Sequence, residues 1–259
     1  MKSGTIVFRY ELFNVVRSKW LFAYTALLAL CTFAFSRVAD DPRKIELSLV
    51  TIINFFVPLV SGLFTTNYWY SAESFTELLL SQPVSRHRLF WSRMVAVILG
   101  LLISLAVGLL LPLILYGISD EGSFWLFGAA AFLTIVFCSV GALLATWTNE
   151  RMWGVGLAIG IWFYAVFVHD AIILAVLIQY RDYPLDLVSS ALCALNPLGL
   201  GRLALLLHFD APLLLGHSGA IVRRMVENQT GYWMLFPLVL FWIFGPVLLA
   251  WRRFAKQDF

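Results

Sequence analysis

Long uncharged stretches separated by short charged segments form the dominant pattern of this chain. Each stretch reaches or approaches the ~20 apolar residues that an α-helix needs to cross about 30 Å of hydrocarbon. We therefore predict an all-α integral membrane protein with six transmembrane helices, at residues 20–36, 47–72, 94–119, 122–149, 152–180 and 231–251.

The composition agrees with this prediction. Of the 259 residues, 61% are hydrophobic and 13% are charged, whereas soluble domains carry about 25% charged residues. The length fits one transmembrane domain, residues 1–259, without a second globular domain. The three cysteines show neither CxxC nor zinc-site spacing, so we expect no bound metal, and we expect no nucleic-acid partner.

The distribution of Lys and Arg predicts the orientation in the membrane. Residues 1–19, 73–93, 149–151 and the C-terminal tail hold 11 of the 18 basic residues. Because cytoplasmic loops carry an excess of Lys and Arg, we expect both termini and the 73–93 loop in the cytoplasm. Residues 120–121 and 181–230 then lie outside. We interpret residues 1–19 as a retained interfacial helix rather than a signal peptide, with an apolar face of Ile6, Tyr10 and Phe13.

The charged loop ESFTELLLSQPVSRHRLFWSR, residues 73–93, interrupts the apolar pattern. Helical spacing places Glu73, Glu77 and Ser81 on one face of a short helix. A second, apolar face is predicted for the other side of this helix, formed by Phe75, Leu78 and Leu79.

A sharp bend is predicted after this short helix. Pro83 ends the helix, and Gln82 is pushed out of the α region by the proline that follows it. Ser85 can cap the next helix, whose first turns are basic. The residues alone fit either an amphipathic surface helix or an ordinary loop with snorkelling basic side chains, namely Arg86, His87, Arg88 and Arg93.

The pattern E-x-x-x-E-L-L-L-S-Q-P-V-S-R, between the second and third of six spans, resembles the permeases of type-2 ABC exporters. The resemblance implies that the short helix is a coupling helix that docks into a groove on a cytoplasmic ABC ATPase. It also matches residues 1–19 to the interfacial helix of that family. The candidate ATPase contacts are Glu73, Glu77, Ser81, Gln82, Pro83 and Arg86.

Three further segments resemble the NosY-type permeases of the nitrous oxide reductase maturation system: residues 156–178, ALNPLGLGRLALL at 194–206, and residues 234–259. This resemblance singles out Asn196, Pro197 and Arg202. It implies a homodimer in the bacterial inner membrane, with a cytoplasmic ATPase and a periplasmic β-helical copper-handling protein as partners. The chain contains no G-x-x-x-x-G-K-[ST], so we expect it to be non-catalytic, to bind no cofactor, and to leave ATP to the ATPase subunit.

His169 and Asp170 lie within an apolar stretch, and Asp170 is the only acid in the six predicted spans. Ionisable residues at such positions are costly and mark functional sites by default. Asp170 either binds a cation or couples its span to a periplasmic partner, or it pairs with an arginine or a backbone N–H near the outer end of the span. His169 fits a packed or hydrogen-bonded histidine better than a metal ligand.

Residues 181–230 are apolar but punctuated by prolines, glycines and charges, and their uncharged runs are too short to span a membrane. Short helices on the outer surface, forming a docking platform, fit this pattern best. The alternative is a re-entrant pair that dips into a dimer interface.

The substrate stays open, since a sulfur species, a lipid or no substrate at all fits a machine that transmits force. An exporter of another substrate, such as a drug or a polysaccharide, is the alternative function. A secondary transporter should show internal repeats, and no convincing similarity links the two halves of the chain.

Overall fold

The computed structural model describes residues 2–38, 41–81, 84–118, 121–148, 150–180, 192, 195–208 and 230–257. These residues form α-helices and connecting turns, and no strand occurs among them. The helices are α1 (Lys2–Val16), α2 (Lys19–Val38), α3 (Pro42–Ser71), α4 (Glu73–Leu80), α5 (Arg86–Leu115), α6 (Glu121–Trp147), α7 (Arg151–Gln179), α8 (Pro197–His208) and α9 (Thr230–Lys256).

Six of these helices are long and apolar enough to cross a membrane: α2, α3, α5, α6, α7 and α9. The predictions of an all-α fold and of six spans are therefore confirmed. The span in α3 begins earlier than predicted, because Asp41 caps the helix and Pro42 occupies its first turn. The Asp41 carboxylate accepts a hydrogen bond from the backbone N–H of Arg43 at 3.0 Å.

The earlier start of α3 corrects one prediction. Glu46 lies inside this spanning helix and is fully buried, so Asp170 is not the only acid within the spans. The Ser123 hydroxyl, in the first turn of α6, donates a hydrogen bond to the Glu46 carboxylate at 2.9 Å. Burying a carboxylate is costly unless it is hydrogen-bonded, and Ser123 provides such a bond.

The core of the bundle is built around α6, which packs against α3, α5, α7, α8 and α9. Its contact with α3 is close because two glycines face each other: a Cβ added to Gly141 would lie 2.7 Å from the carbonyl oxygen of Gly62. The Thr66 hydroxyl reaches the Gly62 and Gly141 carbonyl oxygens at 2.8 and 3.2 Å. Small residues and polar cross-links of this kind hold membrane helices together.

Two spanning helices contain a widened π-helical turn, at Ala106–Leu110 in α5 and Tyr164–Val168 in α7. In α5 the turn lies beside Pro112, which has no N–H to donate to the carbonyl four residues earlier. That carbonyl belongs to Gly108, and the Thr32 hydroxyl of α2 lies 3.4 Å from its oxygen. A neighbouring helix therefore brings a hydroxyl close to the backbone group that the proline leaves free.

The N-terminal helix α1 turns an apolar face away from the bundle. Ile6, Tyr10 and Phe13 are exposed, as predicted from their spacing, while Val7 and Val15 pack inward. This distribution is the one expected of a helix that lies in the membrane interface.

Candidate functional site

The short helix α4 follows α3 after a single residue, Ala72, and packs one side against the bundle. Thr76 and Leu79 are buried, and the Thr76 hydroxyl donates a hydrogen bond to the Ala72 carbonyl oxygen at 2.8 Å. Phe75 stacks on Tyr10 of α1, with ring centroids 4.9 Å apart. The helix is therefore fixed both to α3 and to α1.

The opposite side of α4 is exposed. Glu73, Glu77 and Ser81 share this side, as predicted. Leu78 is also exposed, at 57%. At about 100° per residue, Leu78 lies about 200° from the buried Thr76 and so points outward. We call these four residues, Glu73, Glu77, Leu78 and Ser81, the coupling surface.

The other predicted ATPase contacts, Gln82, Pro83 and Arg86, do not belong to the coupling surface. Gln82 and Pro83 lie outside the described residues. Arg86 turns toward the end of α9, where its guanidinium donates to the carbonyl oxygens of Ala255 and Gln257 at 3.1 and 2.6 Å. This contact caps the C-terminal carbonyls of α9 and ties the loop to the last spanning helix. Ser85 occupies the N-cap position of α5, but its side chain makes no capping hydrogen bond, contrary to the prediction.

A buried ion pair joins α1 to α5 close to α4. The Arg93 Nε lies 3.0 Å from the Glu11 Oε1, and the two side chains are 2% and 1% exposed. The Tyr68 hydroxyl of α3 donates to the second oxygen of the Glu11 carboxylate. The Arg93 guanidinium lies 5.2 Å from the centre of the Trp69 ring. We call these four residues, Glu11, Tyr68, Trp69 and Arg93, the ion-pair cluster.

Sequence reasoning missed this cluster. Arg93 was interpreted as one of several surface arginines, and no partner was assigned to it. The detectable signal was Glu11, which shares the buried register of α1 with Val7 and Val15 at intervals of four residues. An acid in that register requires a partner when the helix packs, because an unpaired buried charge is strongly destabilising.

The functional residues predicted in the second half of the chain come together at the other end of the bundle. Arg202 Nη1 lies 3.0 Å from Asp170 Oδ2, and the side chains are 44% and 43% exposed. His169 Nε2 is 2.9 Å from the Leu192 carbonyl oxygen. Asp170 therefore pairs with an arginine, one of its two alternatives, and His169 is hydrogen-bonded as predicted.

Asn196 and Pro197 position α8. Asn196 caps the helix through its Oδ1, which accepts from the Leu198 N–H at 3.1 Å, and Pro197 follows at the first helical position. The Asn196 amide also donates to the Ala165 carbonyl oxygen at 2.7 Å, inside the widened turn of α7. This one side chain thus joins the start of α8 to an irregular turn of a spanning helix.

The contacts of Asn196 place the start of α8 deep in the bundle. Leu192 lies beside His169, whereas Asn196 lies beside Ala165, four residues earlier along α7. From there α8 runs outward again and brings Arg202 to Asp170. Its glycine at 201 lies close to Leu133, about 18 Å along α6 from its start. This packing favours the re-entrant alternative for α8 over a helix on the outer surface.

A cleft of about 480 Å³ opens between α3, α7 and α8. Asp170 and Arg202 line it together with Asn54, whose side chain is almost fully buried. Among the described residues, no three His, Cys, Asp or Glu side chains come together in a way that could hold a metal ion.

Two curated proteins resemble this chain from end to end. One is the probable ABC transporter permease protein NosY of Stutzerimonas stutzeri, which is 26% identical over 272 aligned residues. The other is the probable NosY permease of Pseudomonas aeruginosa, 27% identical over 270 aligned residues. The chain is similar to NosY-type permeases. Each alignment covers 96% of this chain and 96% of the NosY protein.

These similarities support the interpretation of the chain as a permease subunit of an ABC transporter, a non-catalytic and multi-pass membrane component. The name of the two NosY proteins implies an ATPase partner for such a subunit. No family model matches the chain.

Proposed function

We propose that this chain is the membrane subunit that couples ATP hydrolysis by a cytoplasmic ABC ATPase to conformational work at the periplasmic face. The work serves the assembly of the copper–sulfur centre of nitrous oxide reductase. Support comes from the end-to-end similarity to NosY permeases and from the geometry of α4. ATP is held by the ATPase, and this chain supplies the docking element and the spans that move.

The observation that carries this proposal is the two-sided character of α4. One side is anchored through Thr76, Leu79 and Phe75, while the residues of the coupling surface are exposed. Two carboxylates beside an exposed leucine suit a groove with basic groups and an apolar pocket. Charge complementarity of this kind selects and orients a partner.

The ion-pair cluster is the proposed route from α4 into the bundle. Trp69 is three residues before the joint at Ala72, and its ring meets Phe90 of α5 and Phe254 of α9 at 5.2 and 5.6 Å. Glu11 and Arg93 lock α1 to α5 beside it. A displacement of α4 is therefore transmitted to α1, α3, α5 and α9, because close-packed side chains transmit strain.

At the opposite end, α8 is the element proposed to pass movement of α7 to a periplasmic partner. It is tied to α7 at two levels, through Asn196 to Ala165 and through Arg202 to Asp170. We propose a homodimer of this chain surrounded by membrane lipid, with a β-helical copper-handling protein docked at this end. Both termini and α4 lie on the cytoplasmic side of the bacterial inner membrane in this arrangement.

Co-purification with the ATPase tests the proposal. Glu77→Arg reverses a charge on the coupling surface and should reduce recovery of the ATPase with the tagged permease at least tenfold, with membrane insertion unchanged. Glu121→Arg is the matched control, since it reverses an exposed acid at the other end of the bundle. Equal ATPase recovery from both variants and the wild type would contradict the assignment of α4.

A further inference from the structure

The cleft between α3, α7 and α8 combines polar and apolar walls. Most of its lining is apolar, from Leu47 and Phe55 on α3 to Phe167 on α7. Its polar side chains are Thr51, Asn54, Asp170 and Arg202. A pocket with apolar walls and a few placed polar groups has the character of a site for an amphipathic ligand.

The ion pair in this cleft lies well inside a helix that is long enough to cross the membrane. The 29 residues of α7 span about 43 Å, which exceeds the ~30 Å hydrocarbon thickness by about 13 Å. Asp170 is nine residues, or about 14 Å, from the end of the helix at Gln179. With the excess length shared equally by the two ends of α7, Asp170 lies about 7 Å inside the apolar layer. Charged side chains at this depth do not face acyl chains. Because both members of the pair are more than two-fifths exposed, the open side of the cleft suits a polar group.

Asn54, which also lines the cleft, has a buried side-chain oxygen without a hydrogen-bond partner among the described residues. Its side-chain amide donates to the Val50 carbonyl oxygen at 2.9 Å, and the residue is only 6% exposed. Its Oδ1 has no hydrogen-bond partner among the described residues. A buried carbonyl oxygen of this kind is normally paired, so the cleft offers an acceptor to a ligand that carries a hydrogen-bond donor.

We propose that this cleft binds the headgroup of a zwitterionic phospholipid that has a primary ammonium group. The ammonium pairs with Asp170 and donates to Asn54 Oδ1, while the phosphate pairs with Arg202. An acid and a base side by side complement a headgroup whose two opposite charges are also adjacent, and the net charge of the complex is zero.

The membrane is the source of the ligand because the cleft adjoins the most exposed spanning helix. Along α7 most apolar side chains face outward, including Phe163, Phe167 and Leu174, which are exposed at 51%, 46% and 60%. Phe167 also lines the cleft. A headgroup held at Asp170 and Arg202 therefore has an apolar surface beside it on which its acyl chains can lie.

Native mass spectrometry of the purified full-length chain, delipidated and then titrated with single lipids, tests this site. The probes are phosphatidylethanolamine, phosphatidylcholine and phosphatidylglycerol with identical acyl chains. We expect one phosphatidylethanolamine to bind about tenfold more tightly than one phosphatidylcholine, whose quaternary ammonium cannot donate to Asn54. Phosphatidylglycerol, which lacks the cation for Asp170, should bind no better than phosphatidylcholine.

Variants locate the site. Asn54→Leu and Asp170→Asn should each reduce the preference for phosphatidylethanolamine at least fivefold. The control variant Glu121→Gln removes an exposed carboxylate outside the cleft and should leave this preference unchanged. Asn54→Ser is a second variant at the buried position that keeps a neutral acceptor and should retain part of the preference, so loss of folding in Asn54→Leu does not decide the result.

Three results would overturn the proposal. Equal binding of the three lipids to the wild type would show an annular lipid without headgroup recognition. Binding of soluble phosphoethanolamine in place of the intact lipid would show a soluble ligand. Loss of dimer mass in Asp170→Asn without any change in lipid preference would show that a second copy of the chain covers the cleft. Each readout is independent of the ATPase, so failure here leaves the role of α4 untouched.

Discussion

Glu11 and Arg93 are 82 residues apart in the chain, yet they form an ion pair of 3.0 Å that is almost completely shielded from solvent. The pair joins α1 to the spanning helix α5, beside the joint between α3 and α4. A buried pair adds little net stability, but removal of one partner leaves an uncompensated charge. Its position makes it part of the proposed mechanical link rather than a surface contact.

Breaking this pair should destabilise the permease. Glu11→Leu leaves the Arg93 guanidinium buried without its carboxylate, so we expect the free energy of unfolding to fall by about 3–5 kcal/mol. The double variant Glu11→Leu, Arg93→Met removes both charges and should recover most of that loss. Thermal denaturation in detergent measures both effects, and a single variant as stable as the wild type would contradict the burial of the pair.

The glycine contact between α3 and α6 gives a second stability prediction. A side chain at position 141 meets the Gly62 carbonyl oxygen at 2.7 Å, so Gly141→Leu should force the two helices apart and lower the denaturation midpoint. Gly128→Leu is the control in the same helix, since a Cβ there has nothing within 4 Å among the described residues. Equal midpoints for the two variants would contradict the close approach.

The orientation of the chain across the membrane can be measured by labelling introduced cysteines. In a background that lacks the three native cysteines at 31, 138 and 193, we introduce single cysteines at the exposed positions Glu121 and His87. A thiol reagent that does not cross the membrane should label position 121 in intact spheroplasts and label position 87 only after lysis. Labelling of position 87 alone in intact spheroplasts would reverse the proposed orientation.

The contact between Asp170 and Arg202 should be required for reductase maturation. Asp170→Leu removes the tie between α7 and α8, so we expect loss of the copper–sulfur centre while insertion and ATPase binding persist. The charge exchange Asp170→Arg with Arg202→Asp restores the pair and should recover part of the centre. The measurement is the content of that centre in the reductase at matched permease levels. A full centre in Asp170→Leu cells would limit the pair to a structural role.

The sequence predicts the spanning helices well because hydrocarbon thickness sets their length, and charge marks their ends. The predicted start of α3 is too late because the charged residue Glu46 directly precedes the uncharged stretch, which therefore begins at residue 47. Its burial depends on Ser123 from another helix, and linear hydropathy contains no information about such a partner. For the same reason the ion-pair cluster was missed, since its members come from three different helices.

The sequence predicts which residues form the candidate site better than it predicts how these residues are arranged in space. The resemblance singled out Asn196, Pro197 and Arg202, and apolar surroundings singled out His169 and Asp170. These residues come together because α8 packs inside the bundle. The sequence of a 12-residue helix with glycines does not indicate how deeply the helix lies in the bundle. On α4, Leu78 is exposed and Leu79 is buried, a difference that the sequence does not predict because three leucines in a row leave the buried side of a two-turn helix ambiguous.

Contact between α4 and the ATPase is the central claim, and site-specific photo-cross-linking measures it most directly. A photoreactive amino acid at position 77 of the coupling surface should give a covalent adduct with the ATPase subunit in membranes that contain the assembled complex. The same amino acid at position 121, on the opposite end of the bundle, should give none. An ATPase adduct at position 121, or its absence at position 77 in a complex that co-purifies intact, would contradict the account.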